Sequence, residues 1–132
     1  VFMLIVLGLD NRWDQLKSVL VVWILLHGIF AMIGAIIAWG HPLSWVAAFL
    51  AAPWTSATHI AAAGWVAGAV ELYIRKPTNN DLMELFSGTY ETVREMLRNK
   101  VFKVLAVTAL VNLGSMLGTF VSAWWIASNI CI

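Results

Sequence analysis

The sequence predicts an all-α fold: a polytopic helical membrane bundle with a proline-broken helix pair and a cytoplasmic amphipathic helix. Hydrophobic residues make up 61% of the 132 residues and charged residues 11%, whereas soluble proteins average about 25% charged. No Asp, Glu, Lys or Arg occurs between Lys17 and Glu71 or after Lys103. Because a chain of this length cannot surround such runs with a water-soluble shell, we expect lipid around them.

The composition and the first residues of the chain limit the classes of protein to which it can belong. The net charge of +1 gives no indication of nucleic-acid binding, and the single Cys131 excludes an intrachain disulfide. Residues 1–9 are apolar but too few to span a bilayer, so we interpret them as the end of a truncated membrane helix and not as a signal peptide. A polar loop, 10–17, follows. We therefore expect 1–132 to be one membrane domain from a longer protein.

The clearest predicted spanning helix covers residues 18–39, which carry no formal charge. Trp23 and Trp39 lie near its ends, where aromatic rings prefer the membrane interface. His27 is its only ionisable residue. We expect a neutral histidine hydrogen-bonded to a neighbouring helix, with a role in proton relay as the alternative. The residues Gly40, His41 and Pro42 then predict a tight turn.

A proline interrupts the longest apolar run. One helix over the uncharged residues 42–70 would be about 45 Å long, well beyond a hydrocarbon core of about 30 Å. Pro53 removes a backbone donor, and the Thr and Ser that follow are good N-cap residues. The sequence therefore predicts two helices, 43–52 and 56–75, joined by a break inside the membrane.

The predicted break is also a candidate binding pocket. A helix N-terminus inside the membrane offers unpaired amides and a positive dipole end to an anionic or carbonyl group, as in transporters with broken helices. The residues that would line this pocket are Pro53, Thr55, Ser56, Thr58 and His59. The alternative is a closed break, whose freed carbonyls are satisfied by these hydroxyl groups and by neighbouring helices.

Small residues and one charged pair share a face of the second helix of the pair. Gly64, Gly68, Glu71 and Arg75 recur at helical spacing, and the two glycines form a GxxxG pair that favours close helix packing. Glu71 and Arg75 have the i, i+4 spacing of an ion pair. We expect this pair to close the helix end, with ion conduction as the alternative.

An amphipathic helix is predicted over residues 79–99, since apolar and charged residues alternate there with a helical period. Thr78 or Asn79 would cap it and Gly88 would kink it. We expect its apolar face to rest on lipid headgroups or on an absent part of the protein.

The last predicted spanning helix, 104–128, carries a polar seam and a second GxxxG pair, Gly114 and Gly118. Because Asn112 would be costly against lipid, we expect the seam to face the bundle; lining of a pore is the alternative. The seam consists of Thr108, Asn112, Ser115, Thr119 and Ser122.

Basic residues predict the orientation. Six Lys or Arg residues lie between Arg75 and Lys103, which places the connection 76–103 in the cytoplasm by the positive-inside rule. Loop 10–17 would share that side if the broken pair crosses the membrane once, and the turn at 40–42 and the C-terminus would lie outside. The alternative is that the short helix 43–52 is re-entrant, and the sequence leaves this open.

Several ordered segments resemble the C-terminal transmembrane domain of the TraB/PrgY family, which is similar to pheromone shutdown proteins. The family tends to have Asn-Pro shortly after its Thr-Ser, where this chain has Thr58-His59. The segments are GHPLS (40–44), Thr55-Ser56, AGWVAG (63–68), RKPT (75–78), RNKV (98–101) and NLGSMLGTF (112–120).

The resemblance implies a multi-pass protein of a prokaryotic cell membrane. It also implies a soluble N-terminal domain related to Tiki-type metal-dependent proteases, and that domain is absent from this sequence. We therefore expect no enzyme activity from this chain and transfer no catalytic residue. His27, His41 and His59 lack metal-ligand spacing on one face, so we expect neither a metal nor a cofactor.

Two functions are compatible with the sequence. The first is a membrane domain that anchors and assembles the absent protease-like or peptide-binding domain, as a homo-oligomer formed through the glycine faces. The alternative is a pathway for transport or sensing of a small molecule, ion or peptide, formed by the broken pair and the polar seam. The expected partners are the lipid bilayer, the N-terminal domain and a peptide or small-molecule ligand.

Overall fold

The computed structural model describes residues 12–58, 62–88 and 90–130, and this part of the chain folds entirely into helices and their connections. The all-α prediction is confirmed for these residues, and the predicted helix end at 1–9 lies outside them. The helices are α1 (Trp13–Ile37), α2 (Pro42–Thr58), α3 (Ala63–Arg75), α4 (Asn79–Phe86), α5 (Val93–Met96) and α6 (Lys100–Ile130).

The two longest helices, α1 and α6, pack antiparallel through small residues. A side chain at Gly34 would overlap the backbone of Leu110, and one at Gly114 would overlap the backbone of Phe30. The two backbones therefore approach closely, which favours helix association through van der Waals contact where lipid supplies no hydrophobic driving force. Both helices are long and apolar enough to cross a membrane, judged by length and composition.

A short turn joins α1, which ends at Ile37, to α2, which begins at Pro42. Trp39, not Gly40, adopts the left-handed conformation, with a φ of 56°. The N–H of Gly40 donates to the Ala35 carbonyl over 3.0 Å, which closes the last turn of the helix. Helix α1 begins at Trp13, five residues before the predicted start at Ser18, because residues 13–17 are also helical.

Helices α2 and α3 form an antiparallel hairpin. Glu71, near the end of α3, accepts a hydrogen bond from Ser44, in the first turn of α2. At the other end of the hairpin, Ser56 of α2 and Gly64 of α3 both contact α6 within residues 112–115. The hairpin therefore enters and leaves at one end of the bundle.

The predicted helix break at Pro53 is wrong. Helix α2 continues through Pro53 to Thr58, and α3 begins at Ala63. A proline inside a helix costs about 3 kcal/mol because it removes a hydrogen bond. Close to the proline, the Thr55 hydroxyl donates to the Ala51 carbonyl over 3.0 Å. The carbonyl of Phe49, which has no donor at Pro53, lies close to Gly28 of α1.

The predicted amphipathic helix 79–99 is two short helices, α4 and α5. Gly88 follows α4 with a φ of 71°, a conformation that ends a helix instead of kinking it. Thr78 caps α4 in a capping box with Asp81, and the hydrogen bonds from its backbone and hydroxyl hold the pKa of the Asp81 carboxyl below its usual value. The expectation that the apolar face of segment 79–99 rests on lipid headgroups or on an absent part of the protein stays a prediction.

Helix α6 begins four residues before its predicted start at Val104. The side-chain carbonyl of Asn99 accepts hydrogen bonds from the N–H groups of Val101 and Phe102 over 2.9 and 3.2 Å, as an N-cap residue does. The side-chain amide of Asn99 donates to the Asp81 carbonyl over 2.6 Å, so this buried residue also ties α4 to the start of α6.

We expect Gly34→Ala to lower the free energy of unfolding by about 1–3 kcal/mol, because the added methyl group forces α1 away from α6. Denaturation in detergent micelles measures this change. Ala109→Val, on the exposed face of α6, is the matched control and should be close to neutral. Equal effects of the two variants would show that the close approach contributes nothing.

Candidate functional site

A carboxylate buried between helices lies at the open end of the hairpin. Glu71 is 0% exposed. One of its oxygens, Oε2, accepts hydrogen bonds from the backbone N–H of His41 over 2.9 Å and from the hydroxyl of Ser44 over 2.5 Å. The other oxygen, Oε1, accepts from the Nε–H of Arg75. Three donors therefore hold a single carboxylate, and together they bind the start of α2 to the end of α3.

The local charges favour an ionised Glu71. Arg75 supplies a formal positive charge through the expected ion pair, which is present. The first turn of α2 adds the positive end of a helix dipole, since Glu71 contacts His41 immediately before Pro42. A buried charge is tolerated when its pairing and hydrogen bonding are this complete. The arrangement closes a helix end, as expected, and leaves no oxygen of Glu71 without a donor.

Sequence reasoning found only half of this cluster. The spacing of Glu71 and Arg75 identified the pair, but the roles of Ser44 and His41 were missed. Their signal is the segment Gly40–Ser44, where a proline at the first helical position precedes a serine hydroxyl one turn from the helix start. Such a start offers donors to an acceptor from elsewhere, but the sequence does not say which acceptor.

The inner end of the hairpin is held by the polar seam of α6. The side-chain carbonyl of Asn112 accepts a hydrogen bond from the backbone N–H of Gly64 over 2.8 Å, so it caps the start of α3 from another helix. The hydroxyl groups of Ser56 and Ser115 lie 3.3 Å apart. The N–H of Gly64, at the observed start of α3, is therefore bonded to a side chain of the protein.

The three predicted pocket residues whose side chains the structure describes, Pro53, Thr55 and Ser56, do not converge on a common space. Pro53 is buried inside α2, and Thr55 directs its hydroxyl to carbonyls of its own helix. Ser56 contacts α6. His59 and the side chain of Thr58 lie outside the described part of the structure. The hydroxyl groups of Thr55 and Ser56 are therefore bonded to helices of the protein itself.

His27 joins α1 to α6 deeper in the bundle and is 1% exposed. Its Nδ1 lies 2.9 Å from the carbonyl of Trp23, and its Nε2 lies 3.0 Å from the hydroxyl of Thr119. Because a carbonyl can only accept, Nδ1 carries a proton. In the neutral ring Nε2 is then an acceptor, and it shares the single hydroxyl proton of Thr119 with the Ser115 carbonyl, which lies 3.1 Å from the same hydroxyl. The hydrogen bond to a neighbouring helix is the one expected from the sequence.

The remaining seam residues and the glycines serve the same packing. Gly64 and Gly68 face Thr108 and Asn112 of α6, and Gly118 faces the backbone of His27. The hydroxyl groups of Thr108 and Ser122 donate to carbonyls within α6. Both GxxxG pairs are thus occupied by contacts within this chain, and the glycine faces cannot at the same time form the expected oligomer contact.

The site offers hydrogen bonding and charge pairing. In the parts of the chain that the structure describes, no three His, Cys, Asp or Glu residues are grouped so as to hold a metal ion. His41 directs Nδ1 towards the N–H of Leu43 over 3.2 Å, in a local helix cap. The polar groups of Glu71, Asn112 and His27 join helices to one another.

Comparison with known proteins identifies the family. The chain matches the TraB family protein, C-terminal domain, over residues 1–131. The chain belongs to the TraB family. An uncharacterised protein of Methanocaldococcus jannaschii is 38% identical over 112 residues, which are 83% of this chain and 28% of that protein. The TraB-family chain therefore spans less than a third of the length of this curated relative. No solved structure gives a significant match.

We expect Glu71→Ala to lower the free energy of unfolding of this TraB-family domain by about 3–5 kcal/mol, because it leaves the Arg75 charge and two buried donors unpaired. Glu71→Gln keeps an acceptor and should cost less. Glu84→Ala on the exposed surface of α4 is the control, expected within about 0.5 kcal/mol of the parent. Denaturation in micelles provides the comparison, and a Glu71→Ala variant as stable as the control would refute the clamp.

We expect Asn112→Leu to expose the start of α3, since the Gly64 amide loses its acceptor at a cost of about 1–3 kcal/mol. Hydrogen exchange at the backbone amide of Gly64 measures this locally. Asn129→Leu, at an exposed position of the same helix, should leave the exchange unchanged. Unaltered protection of Gly64 in Asn112→Leu would contradict the capping role.

Proposed function

We propose that this chain is a membrane-embedded domain that anchors the remainder of a TraB-family protein and holds it in a fixed orientation. The length and apolar composition of α1 and α6 support two membrane crossings. Their exposed side chains support contact with lipid, because large apolar residues such as Ile33, Leu113 and Phe120 lie on the outer surface. A globular protein in water does not expose so many large side chains of this kind.

The hairpin fits a re-entrant element within such a domain. Helices α2 and α3 have 17 and 13 residues, which correspond to about 25 and 20 Å, less than a hydrocarbon core of about 30 Å. Their inner ends contact α6 at residues 112–115, roughly 20 Å from its start at Lys100. Non-helical backbone at such depth is tolerated where protein covers it.

The distribution of basic residues supports an orientation. Six of the eight Lys and Arg residues lie between Arg75 and Lys103, and the others are Arg12 and Lys17 at the opposite end of the bundle. The positive-inside rule places the connection 76–103 in the cytoplasm. Because the hairpin returns to its starting end, the turn at 38–41 belongs on the same side, and the start of α1 and the end of α6 belong on the other.

Internal hydrogen bonding favours an anchor over a transport pathway. A pathway needs polar groups directed at a passing solute, whereas the functional groups of Glu71, His27 and Ser56 are directed at other helices. Asn112 likewise caps α3 through its side-chain carbonyl. These polar side chains are hydrogen-bonded to other helices of the same chain, and this observation carries the proposal.

Two further parts of the proposal concern the assembly. The relative from Methanocaldococcus jannaschii extends well beyond the aligned region, which leaves room for the soluble protease-like or peptide-binding domain that the resemblance implies. The anchor would tether that domain to the bilayer. Homo-oligomer formation would need a surface other than the glycine faces, because these are filled within the chain.

Cysteine labelling tests the topology. In a Cys131→Ser background, Trp39→Cys and Glu91→Cys should react with a membrane-impermeant thiol reagent from the same side, because the hairpin returns both positions to one end. Asp14→Cys should react from the opposite side only. Leu113→Cys, on the lipid-facing surface, should react from neither. Labelling of Trp39→Cys and Glu91→Cys from opposite sides would show that residues 42–75 cross once and would refute the re-entrant hairpin.

A further inference from the structure

An apolar groove lies on the outer surface of the hairpin, away from the polar contacts. Its volume is about 570 Å³. The groove follows α3 from Trp65 to Ile74, a length of about 14 Å at 1.5 Å per residue. This length is close to the hydrocarbon depth of one leaflet, half of about 30 Å. The side chains that line it include Leu43 of α2 and Trp65, Val66, Val70, Tyr73 and Ile74 of α3.

One end of the groove lies beside a positive cluster. Tyr73 and Ile74 are followed directly by Arg75 and Lys76, and Lys103 lies close enough to Arg75 and Glu71 to interact with their charges. Glu71 is the acidic member of the cluster and is already paired with Arg75. Lys76 is exposed, and in the described residues no carboxylate lies within ion-pair distance of it. The cluster therefore retains an excess of positive charge.

We propose that this groove binds one acyl chain of an anionic phospholipid, whose phosphate lies at Lys76. The inference rests on the membrane embedding proposed above and adds a specific lipid to it. Apolar side chains supply contact for the acyl chain, and the excess positive charge supplies the preference for an anionic headgroup over a zwitterionic one. The lipid would lie in the leaflet on the side of the connection 76–103.

The backbone beside the groove supports this headgroup position. Lys76 has a left-handed conformation with a φ of 45°, and its N–H donates to the Leu72 carbonyl over 3.0 Å. Pro77 follows and prevents continuation of the helix. The chain therefore turns away at the end of the groove and leaves the exposed Lys76 at the level where Tyr73, 80% exposed, reaches the predicted membrane interface.

The test measures lipid retained by the purified protein, expressed with all its domains. The protein is exchanged into nanodiscs that contain phosphatidylcholine with a minor fraction of phosphatidylglycerol, and bound lipid is then counted by native mass spectrometry. Lys76→Gln should reduce retention of phosphatidylglycerol about fivefold, as expected for one basic residue near the surface. Lys17→Gln, an exposed lysine at the other end of the bundle, should not change it.

A second variant tests the acyl-chain position. Ala69→Leu fills the groove, which Ala69 helps to line, and should reduce retention of both phospholipids. Ala109→Leu, on the exposed face of α6, is its control. Equal retention in Lys76→Gln and Lys17→Gln, or in Ala69→Leu and Ala109→Leu, would overturn the proposal. So would retention of a second protein copy in place of lipid.

Membrane insertion is measured separately, by carbonate extraction of the same variants. Full insertion with no lipid selectivity would refute the lipid site and leave the anchor intact. Loss of the parent protein from the membrane fraction would refute the anchor itself and the lipid site with it.

Discussion

Burial of the Glu71 carboxylate between the start of α2 and the end of α3 is the interaction on which the hairpin depends. A carboxylate without partners could not remain in this position, because removal of its hydration costs several kcal/mol. Arg75 pairs with Glu71 within α3, but the contacts from His41 and Ser44 contribute only if α2 and α3 lie side by side. The charge therefore favours the hairpin over any arrangement in which the two helices separate.

Close packing of small residues works together with this polar constraint. The interior contains Ala31, Ala35, Ala48 and Ala67, all fully buried, and Gly34 and Gly114 bring α1 and α6 into backbone contact. In lipid, apolar side chains gain little by leaving the solvent, so packing and hydrogen bonds determine which helices associate. Small side chains permit the short distances that the interhelical hydrogen bonds require. Large side chains are consequently displaced to the outer surface.

Local patterns in the sequence predicted the helices better than their arrangement. The charge-free residues 18–39 identified α1, and the i, i+4 spacing identified the pair of Glu71 and Arg75, because helical periodicity and ion-pair spacing are properties of neighbouring residues. The seam on α6 was likewise visible as a polar face, although its partners were not. Such features depend on the chain within two or three turns.

Tertiary contacts determine the features that local patterns did not predict, namely the course of α2 at Pro53 and the pairing of α2 with α3. Proline propensity placed a break at Pro53, but Gly28 lies on another helix, against the carbonyl that Pro53 leaves unbonded, and no local rule reveals that contact. The topology that the sequence leaves open depends on a contact of the same kind. A single crossing and a re-entrant hairpin contain the same two helices and differ only in whether Ser44 meets Glu71, 27 positions away. Propensity supplies no information about a pairing of that kind.

Contacts with α6 determine how far the hairpin extends along the bundle and how it is oriented. The contact of α6 with Gly68 at Thr108 and its contact with Gly64 at Asn112 are one helical turn apart, so α3 can shift along α6 only by losing both. The Glu71 cluster fixes the opposite end of the same helix. Contacts therefore hold both ends of α3. This helix of 13 residues has a more precisely defined position than an unattached helix of the same length would have. The bundle therefore presents its basic end in a fixed relation to the two long helices, which is the property that an anchoring domain requires.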